Sequence, residues 1–360
     1  MLRIRGFGKE ECVMRILLGL SGGVDSTYAA LALREAGHDV EAAVLLMHEY
    51  TSVDEARESA DSLGIPLHVI DVKDEFERVV KSNLVSEYKN ARTPNPCVVC
   101  NSEIKFHYLL KYALENGFDR IATGHYAGIK KFSDNSGEYY GICRGRDSKK
   151  DQTYMLWRLD QAILSKLVLP LENLVKTDIR EKTRESGLSA AERKDSQEIC
   201  FLPDGNYAEY IESVSGKSDR GSFVDENGKI LGEHKGIIYY TIGQRRGLGI
   251  SSSSRLFVTD IDPKTNAVTL SNNDSYANYV KISGVVYSGM REPSDGEEFN
   301  LSVKLRYAAA PVSARVVFSK NEAEIFLGTP VRAVTPGQSA VMYNGDVLVA
   351  GGFIDLAENK

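Results

Sequence analysis

From Met14 onward the apolar positions fall into short β-rich runs separated by stretches of helical period: Arg15–Leu20, Ser26–Ala36, Val40–Met47, Val53–Leu63 and Leu67–Val72. The first, third and fifth are strand-like, and the stretches between them keep apolar residues three to four apart, as an amphipathic helix does. The pattern predicts a βαβαβ unit, and hence an α/β domain built on a parallel sheet. Gly37 and Gly64 follow the two helical stretches, where a left-handed cap is expected. Further helices are predicted at Asp74–Asn90 and Ser102–Glu115, with a strand at Arg120–Thr123.

Beyond about residue 203 the texture changes to glycine-rich segments and short β-runs. Turn signals stand at Asp225-Glu226-Asn227-Gly228, Asp262-Pro263 and Asn344-Gly345, which predicts mostly antiparallel β-structure. Asn272-Asn273-Asp274 lies near an expected boundary between a small middle domain and a C-terminal barrel. The expected division is an extension over 1–13, an α/β domain over 14–203, a central domain over 204–278 and the barrel over 279–360.

With 360 residues the chain exceeds the roughly 250–300 at which single cores stop growing, which agrees with several domains. No stretch approaches the ~18 uninterrupted apolar residues of a membrane span. Lys9, Glu10 and Glu11 stand where a secretory signal would carry its apolar region, so a cytoplasmic protein is expected. The sparse set Cys12, Cys97, Cys100, Cys143 and Cys200 then favours metal binding or catalysis over structural disulfides. A net charge of −6 argues for a small-molecule enzyme and against a dedicated nucleic-acid binder, unless a local basic stripe overrides the total.

The strongest local signal is Ser21-Gly22-Gly23-Val24-Asp25-Ser26, between an apolar strand and a helix expected to begin near Thr27. Paired glycines let backbone N–H groups converge, the two serines add hydroxyls, and a helix N-terminus favours an anion. These features make a phosphate cradle. No lysine precedes Ser26, so the loop suits pyrophosphate rather than the Walker type of γ-phosphate transfer. The bland alternative is a solvent turn that caps a helix.

A second signal is Thr93-Pro94-Asn95-Pro96-Cys97-Val98-Val99-Cys100-Asn101, with Cys200 inside Asp195-Ser196-Gln197-Glu198-Ile199-Cys200-Phe201. The prolines predict a short extended segment before a helix, whose N-terminus would favour a thiolate and make Cys100 a candidate nucleophile. Cys97 and Cys200 also admit reading as small buried hydrophobes, and Cys12 and Cys143 are expected to be bystanders.

The loop resembles the signature of the N-type ATP pyrophosphatases, which cleave ATP to AMP and pyrophosphate. Taken with Gly19–Ser26, Thr93–Asn101, Thr123-Gly124-His125-Tyr126, Lys150-Asp151-Gln152, Pro170-Leu171, Lys194–Phe201, Tyr240–Gly249 and Thr335-Pro336-Gly337-Gln338, the chain from Met14 on resembles the bacterial tRNA-specific 2-thiouridylases, or tRNA-uridine 2-sulfurtransferases. The resemblance implies an adenine nucleotide alpha hydrolase-like PP-loop domain, a small central domain and a C-terminal antiparallel β-barrel. It implies ATP with Mg2+, a tRNA substrate and a sulfur donor protein, either a cysteine desulfurase or a relay protein. ATP would adenylate the C2 oxygen of the wobble uridine in tRNAs for Lys, Glu and Gln, and sulfur would then replace that oxygen. By match, Cys200 would carry a persulfide, and Cys100 would help release its sulfur and form a transient disulfide with Cys200.

Residue by residue, the match assigns Gly19, Leu20, Ser21, Gly22, Gly23, Val24, Asp25, Ser26, Met47 and Gly124 to the nucleotide. It assigns Asn95, Pro96 and Cys97 to the target base, and His125, Lys150, Asp151, Gln152, Arg306, Tyr307 and Gln338 to the rest of the tRNA. Arg144, Arg146 and Lys149 precede Lys150 and suit a phosphate track, as do Arg245 and Arg246; the alternatives are a core methionine and solvated loops.

Departures accompany the match. Cys97 stands where many members have aspartate, a known variant, and the resulting Cys97-Val98-Val99-Cys100 with Cys200 also resembles the three-cysteine iron–sulfur site of other tRNA thiolases. A bound cluster or zinc ion is the alternative to free persulfide chemistry. His48–Asp54 is shorter than the usual insertion, Ala308–Ala310 replaces residues that are often polar, and the first 13 residues have no counterpart, so that translation is expected to start at Met14. Another PP-loop ligase and a catalytically retired RNA-binding protein complete the alternatives.

Overall fold

The computed structural model describes residues 13–193, 199–202 and 204–360. Cys12 therefore lies outside the described residues, as does the segment 194–198 that precedes Ile199-Cys200.

The N-terminal domain carries strands β1 (Arg15–Gly19), β2 (Asp39–Leu46), β3 (Leu67–Asp71), β4 (Arg120–Thr123), β5 (Gly128–Asp134), β6 (Gly137–Cys143) and β7 (Leu167–Val168). Five of them form a sheet in the order β3-β2-β1-β4-β7, every pair parallel. Both faces of the central strand are covered, so the sequence there is an unbroken apolar run: Ile16 and Leu18 join one core cluster and Leu17 the opposite one. From β1 the chain winds outward through β2 and β3, then crosses back to β4 on the other side of β1. Such a reversal opens a crevice at the carboxyl ends of the two central strands, where ligands of open α/β sheets bind.

Helices α1 (Val24–Glu35) and α2 (Val53–Leu63) follow β1 and β2, with Gly37 and Gly64 at positive φ just beyond or at their ends. Two predicted starts move. Helix α1 begins at Val24 rather than Ser26, which puts Val24, Asp25 and Ser26 in its first turn. The helix expected from Ser102 begins at Pro96, with Asn95 at the N-cap and the proline in the first turn, where its missing N–H costs nothing. The extended segment thus ends at Asn95, and Cys97 and Cys100 sit on a helix. That helix continues to Glu115 through a wide π-turn over Asn101–Phe106.

The central region holds helix Tyr207–Ser215 and strands β8 (Gly221–Val224), β9 (Ile230–His234), β10 (Phe257–Asp262) and β11 (Ala267–Ser271). Their order is β10-β11-β8-β9, and only the β11–β8 pairing is parallel. The last region contains β12 (Tyr276–Tyr287), β13 (Glu298–Lys304), β14 (Val312–Ser319), β15 (Glu322–Arg332), β16 (Ser339–Asn344) and β17 (Val347–Glu358). Antiparallel pairing through these six closes on itself between β12 and β17, giving a barrel without free edges.

One arrangement is invisible in the local pattern. The hairpin β5–β6 of the first domain adds to the barrel sheet, with Cys143 and Ile142 of β6 opposite Val347 and Leu348 of β17. Beside it Trp157 is fully buried: its indole N–H donates to Ser339 Oγ at 2.9 Å, and its ring lies against Phe353 with centroids 5.1 Å apart. Gly351 is required there, because a Cβ would stand 2.7 Å from the indole ring. No helix among the described residues is long and apolar enough to cross a membrane.

Candidate active site

The Ser21–Ser26 loop occupies the crevice between β1 and β4. Ser26 Oγ organises it, accepting from the Ser21 amide at 3.2 Å and donating to the Gly23 carbonyl at 3.1 Å. Helix α1 starts after Gly23 with no side chain capping its N–H groups, so those donors and the positive end of the helix dipole remain available to an anion. Gly22 has φ +84°, and a Cβ there would come within 2.6 Å of the Glu55 backbone. Gly124, after β4, comes equally close to the loop, since a Cβ would lie 2.7 Å from the Ser26 amide nitrogen.

Two cations border the loop that sequence reasoning missed. The Lys176 ammonium, at 8% exposure, donates to both carboxylate oxygens of Asp25 at 2.7 Å, and the Tyr126 hydroxyl donates to Oδ1 at 2.6 Å. The Arg193 guanidinium reaches the Gly22 carbonyl, Ser59 Oγ and the Glu58 carboxylate. Neither cation lies near the loop in sequence, so no motif spacing signals it.

The thiols assemble along the same sheet edge. Met47, just past β2, is half-buried, and Cys100 donates its S–H to the Met47 sulfur at 3.8 Å. Cys100 is buried while Cys97, one turn earlier, is exposed, and Cys200 is exposed as well. Burial pushes the Cys100 thiol up to about 12 against the opposing pull of the Lys105 cation; nearby Cys200 and Cys97 raise it further. The protein packed around Cys200 likewise raises its thiol, again opposed by Lys105. Cys100 therefore rests as a protonated thiol, and the helix N-terminus alone does not make it a thiolate. Two buried polar atoms here, His48 Nδ1 and Asn101 Oδ1, have no hydrogen-bond partner among the described residues. His48 packs its ring between Phe76 and Phe201, beside Cys200, and the sequence reading did not single it out.

The barrel holds the segment ahead of these cysteines. Gln338 donates its side-chain amide to the carbonyls of Thr93 at 2.8 Å and Pro94 at 3.3 Å, and Thr93 N–H donates to the Pro336 carbonyl at 2.8 Å. Asn95 Nδ2 reaches the Met155 sulfur at 3.4 Å. Gln338→Ala is expected to lower stability by about 1 kcal/mol, the usual worth of such bonds, and to speed alkylation of buried Cys100 by freeing this strut. Denaturant unfolding and peptide mass mapping measure the two effects.

The remaining matched residues separate into two kinds. Asp151 accepts from the Thr153 amide at 3.0 Å and hydroxyl at 2.7 Å, and Gln152 accepts from the Tyr126 amide at 2.9 Å, so both side chains brace the loop that carries them. Arg306 directs its guanidinium to the carbonyl of Ala333 and the hydroxyl of Thr335, with its Nε buried and unpartnered among the described residues. Tyr307, by contrast, is exposed at 41%, with the Lys304 ammonium 5.4 Å from its ring. Lys150 is half-buried, and Arg245 and Arg246 are exposed. His125 Nδ1 and Thr123 Oγ1 share a hydrogen bond at 2.9 Å, and the ring lies against Phe106; burial, then the Lys105 cation, hold its pKa at about 3. It is a neutral ring. Cys143 is a bystander in geometry, its S–H directed to Glu172 Oε1 at 3.6 Å.

Among the described residues no group of three or more His, Cys, Asp or Glu side chains is arranged to hold a metal ion. Cys97 is exposed, and Cys100 is buried with its S–H on the Met47 sulfur.

Family models match three consecutive stretches: a tRNA methyl transferase HUP domain over residues 14–204, a tRNA methyl transferase PRC-barrel domain over 208–272, and an aminomethyltransferase beta-barrel domain over 280–354. The tRNA-specific 2-thiouridylase MnmA of Carboxydothermus hydrogenoformans is 40% identical, covering 95% of this chain and 97% of its own length. The protein of the same name from Clostridium botulinum strain Alaska E43 is 38% identical, covering 95% and 98%. Among solved structures, a 4-thiouridine synthetase–RNA complex with bound ATP is 19% identical with a TM-score of 0.36, over 56% of this chain and 50% of that one. The U34-tRNA thiolase NcsA of Methanococcus maripaludis with its [4Fe-4S] cluster is 18% identical with a TM-score of 0.32, over 57% and 68%.

Proposed function

Since the chain belongs to the tRNA-specific 2-thiouridylase family, an enzyme family of tRNA sulfurtransferases, we propose that it converts the wobble uridine of tRNAs for Lys, Glu and Gln to 2-thiouridine in two half-reactions. In the first, the Ser21–Ser26 cradle holds the phosphates of ATP, supplied as its Mg2+ complex. The C2 oxygen of uridine attacks the α-phosphorus and pyrophosphate leaves, so a carbonyl oxygen becomes part of a good leaving group. Uncapped N–H groups of α1 and the nearby cations Lys176 and Arg193 supply the charge that pyrophosphate needs.

In the second half-reaction the terminal sulfur of a Cys200 persulfide attacks C2 and AMP departs. The Cys100 thiolate then attacks the Cys200 sulfur and breaks the S–S bond, and the electron pair of that bond stays on the sulfur left on C2. The product is 2-thiouridine with a Cys100–Cys200 disulfide, which a dithiol reductant reopens. A sulfur donor protein reloads Cys200.

The observation that carries this reading is the contact between Met47 and Cys100, because it joins the nucleotide end of the sheet to the thiol end. That no three His, Cys, Asp or Glu side chains among the described residues are arranged to hold a metal ion favours persulfide chemistry over a cluster. Purified protein given MgATP, unmodified tRNA and a persulfide donor is expected to form 2-thiouridine with release of AMP and pyrophosphate. Nucleoside mass spectrometry reads the product. No thiolation under these conditions refutes the reading, and activity that requires stoichiometric iron, or falls on iron chelation with Mg2+ in excess, favours the cluster.

A further inference from the structure

We infer that Lys105 is a further working residue of the thiol site, its ammonium stabilising whichever of the sulfurs of Cys100 and Cys200 carries negative charge during sulfur transfer. This deepens the reading above and rests on it for the chemical role of the two cysteines.

The backbone places the residue. Five positions separate Cys100 from Lys105, which in an α-helix turns them about 140° apart around the axis. Here the intervening Asn101–Phe106 is a π-turn, whose wider spacing of roughly 4.4 residues per turn brings such a pair to within roughly 50°. Cys97 and Cys100, three apart on the preceding α-turn, are already neighbours. The π-turn therefore delivers Lys105 to the face that carries the thiols.

Its surroundings assign the role. Lys105 is half-buried and has no carboxylate partner among the described residues; nearby Glu103 pairs with Arg158 at 3.0 Å instead. The groups that interact electrostatically with its ammonium are Cys100, Cys200 and Cys97, and burial of the cation is outweighed by them. Two histidines also face it, His48 from the end of β2 and His125 after β4. Desolvation lowers both, and Lys105 lowers them further, so at neutral pH they are uncharged and do not compete for the thiolates. When the Cys100 or Cys200 thiol loses its proton to water, the charge left behind is opposed by the Lys105 cation. Removing that cation raises the thiol pKa and lowers the thiolate fraction at fixed pH.

The test uses the full chain without ATP or tRNA, so its outcome is separate from that of the sulfurtransferase reading. Iodoacetamide alkylation is followed from pH 6 to 10, peptide by peptide, in wild type, Lys105→Met and Lys105→Arg. Methionine is expected to move the Cys200 and Cys100 profiles upward by about one pH unit, roughly a tenfold slower reaction below the midpoint. Arginine is expected to stay near wild type. Cys143, surrounded by Glu172, Lys130 and Asp346, reports on folding and is expected not to move; Lys105→Gln gives the same reading if the methionine variant exposes Cys143. Unchanged Cys100 and Cys200 profiles in a folded variant overturn the inference, as does an arginine variant that behaves like methionine.

Discussion

Cys200→Ser and Cys100→Ser are each expected to reduce 2-thiouridine formation by at least about a thousandfold, the scale of losing a covalent nucleophile, while ATP-dependent pyrophosphate release continues. Serine at 200 carries no persulfide, so sulfur never reaches the base. Serine at 100 cannot cleave a disulfide bond with its weakly nucleophilic hydroxyl, so transfer stalls after activation. Neither side chain takes part in the Ser21–Ser26 loop, and so activation by ATP survives in both. Pyrophosphate release measured beside nucleoside mass spectrometry separates the half-reactions. Cys97→Ser is the informative control. Its thiol has no bond to make or break in the persulfide route, which predicts a change of only a few fold, whereas a three-thiolate cluster predicts a loss equal to the other two. Thiolation that persists in Cys200→Ser would remove that residue from the chemistry.

The second large effect is the converse one. Gly124→Val is expected to abolish both half-reactions, with pyrophosphate release down by more than about a hundredfold, the scale of displacing a phosphate-binding group. A Cβ at this position would lie 2.7 Å from the Ser26 nitrogen and 2.8 Å from the Asp25 carbonyl carbon, both backbone atoms of the first turn of α1. Relief is possible only by moving this turn, whose N–H groups carry no side-chain cap. The parallel sheet beneath should hold, since the clash lies above its carboxyl edge, and circular dichroism is expected to be unchanged. Equilibrium ATP binding checks the result; wild-type affinity would show that Gly124 is not a nucleotide-side residue.

The parallel sheet and the strand–loop–helix setting of Ser21–Ser26 are legible because their determinants are local. Ile16, Leu17 and Leu18 announce a strand buried on both faces, and Gly22-Gly23 between strand and helix announce a turn of exposed N–H groups. Helix ends are less legible: Pro94 and Pro96 together predict an extended segment ahead of the helix, yet Pro96 stands in the first turn of that helix, where its fixed φ is an asset. What the sequence could not disclose depends on distant partners. Lys176 meets Asp25 across 151 positions, and Gln338 meets Thr93 across 245. Lys105 was hidden for a subtler reason, since an α-helical wheel turns it away from Cys100 and only the π-turn turns it back. Net charge misled in the same way. The total of −6 points away from nucleic acid, yet it says nothing of local groups such as exposed Arg245 and Arg246, or Tyr307 with the Lys304 ammonium beside its ring.

The strut from Gln338 to Thr93 and the pairing of β6 with β17 set an order of assembly. Ribosomal synthesis delivers the cradle and all its cysteines long before the strands that complete their setting. Until β16 and β17 emerge, Trp157 has no Ser339 or Phe353 to bury against, and β6 keeps an open edge. A nascent chain that has finished its nucleotide domain therefore still lacks a braced Thr93–Asn95 segment. Bracing of the segment that leads into Cys97 and Cys100 is therefore complete only when the last strands are laid down.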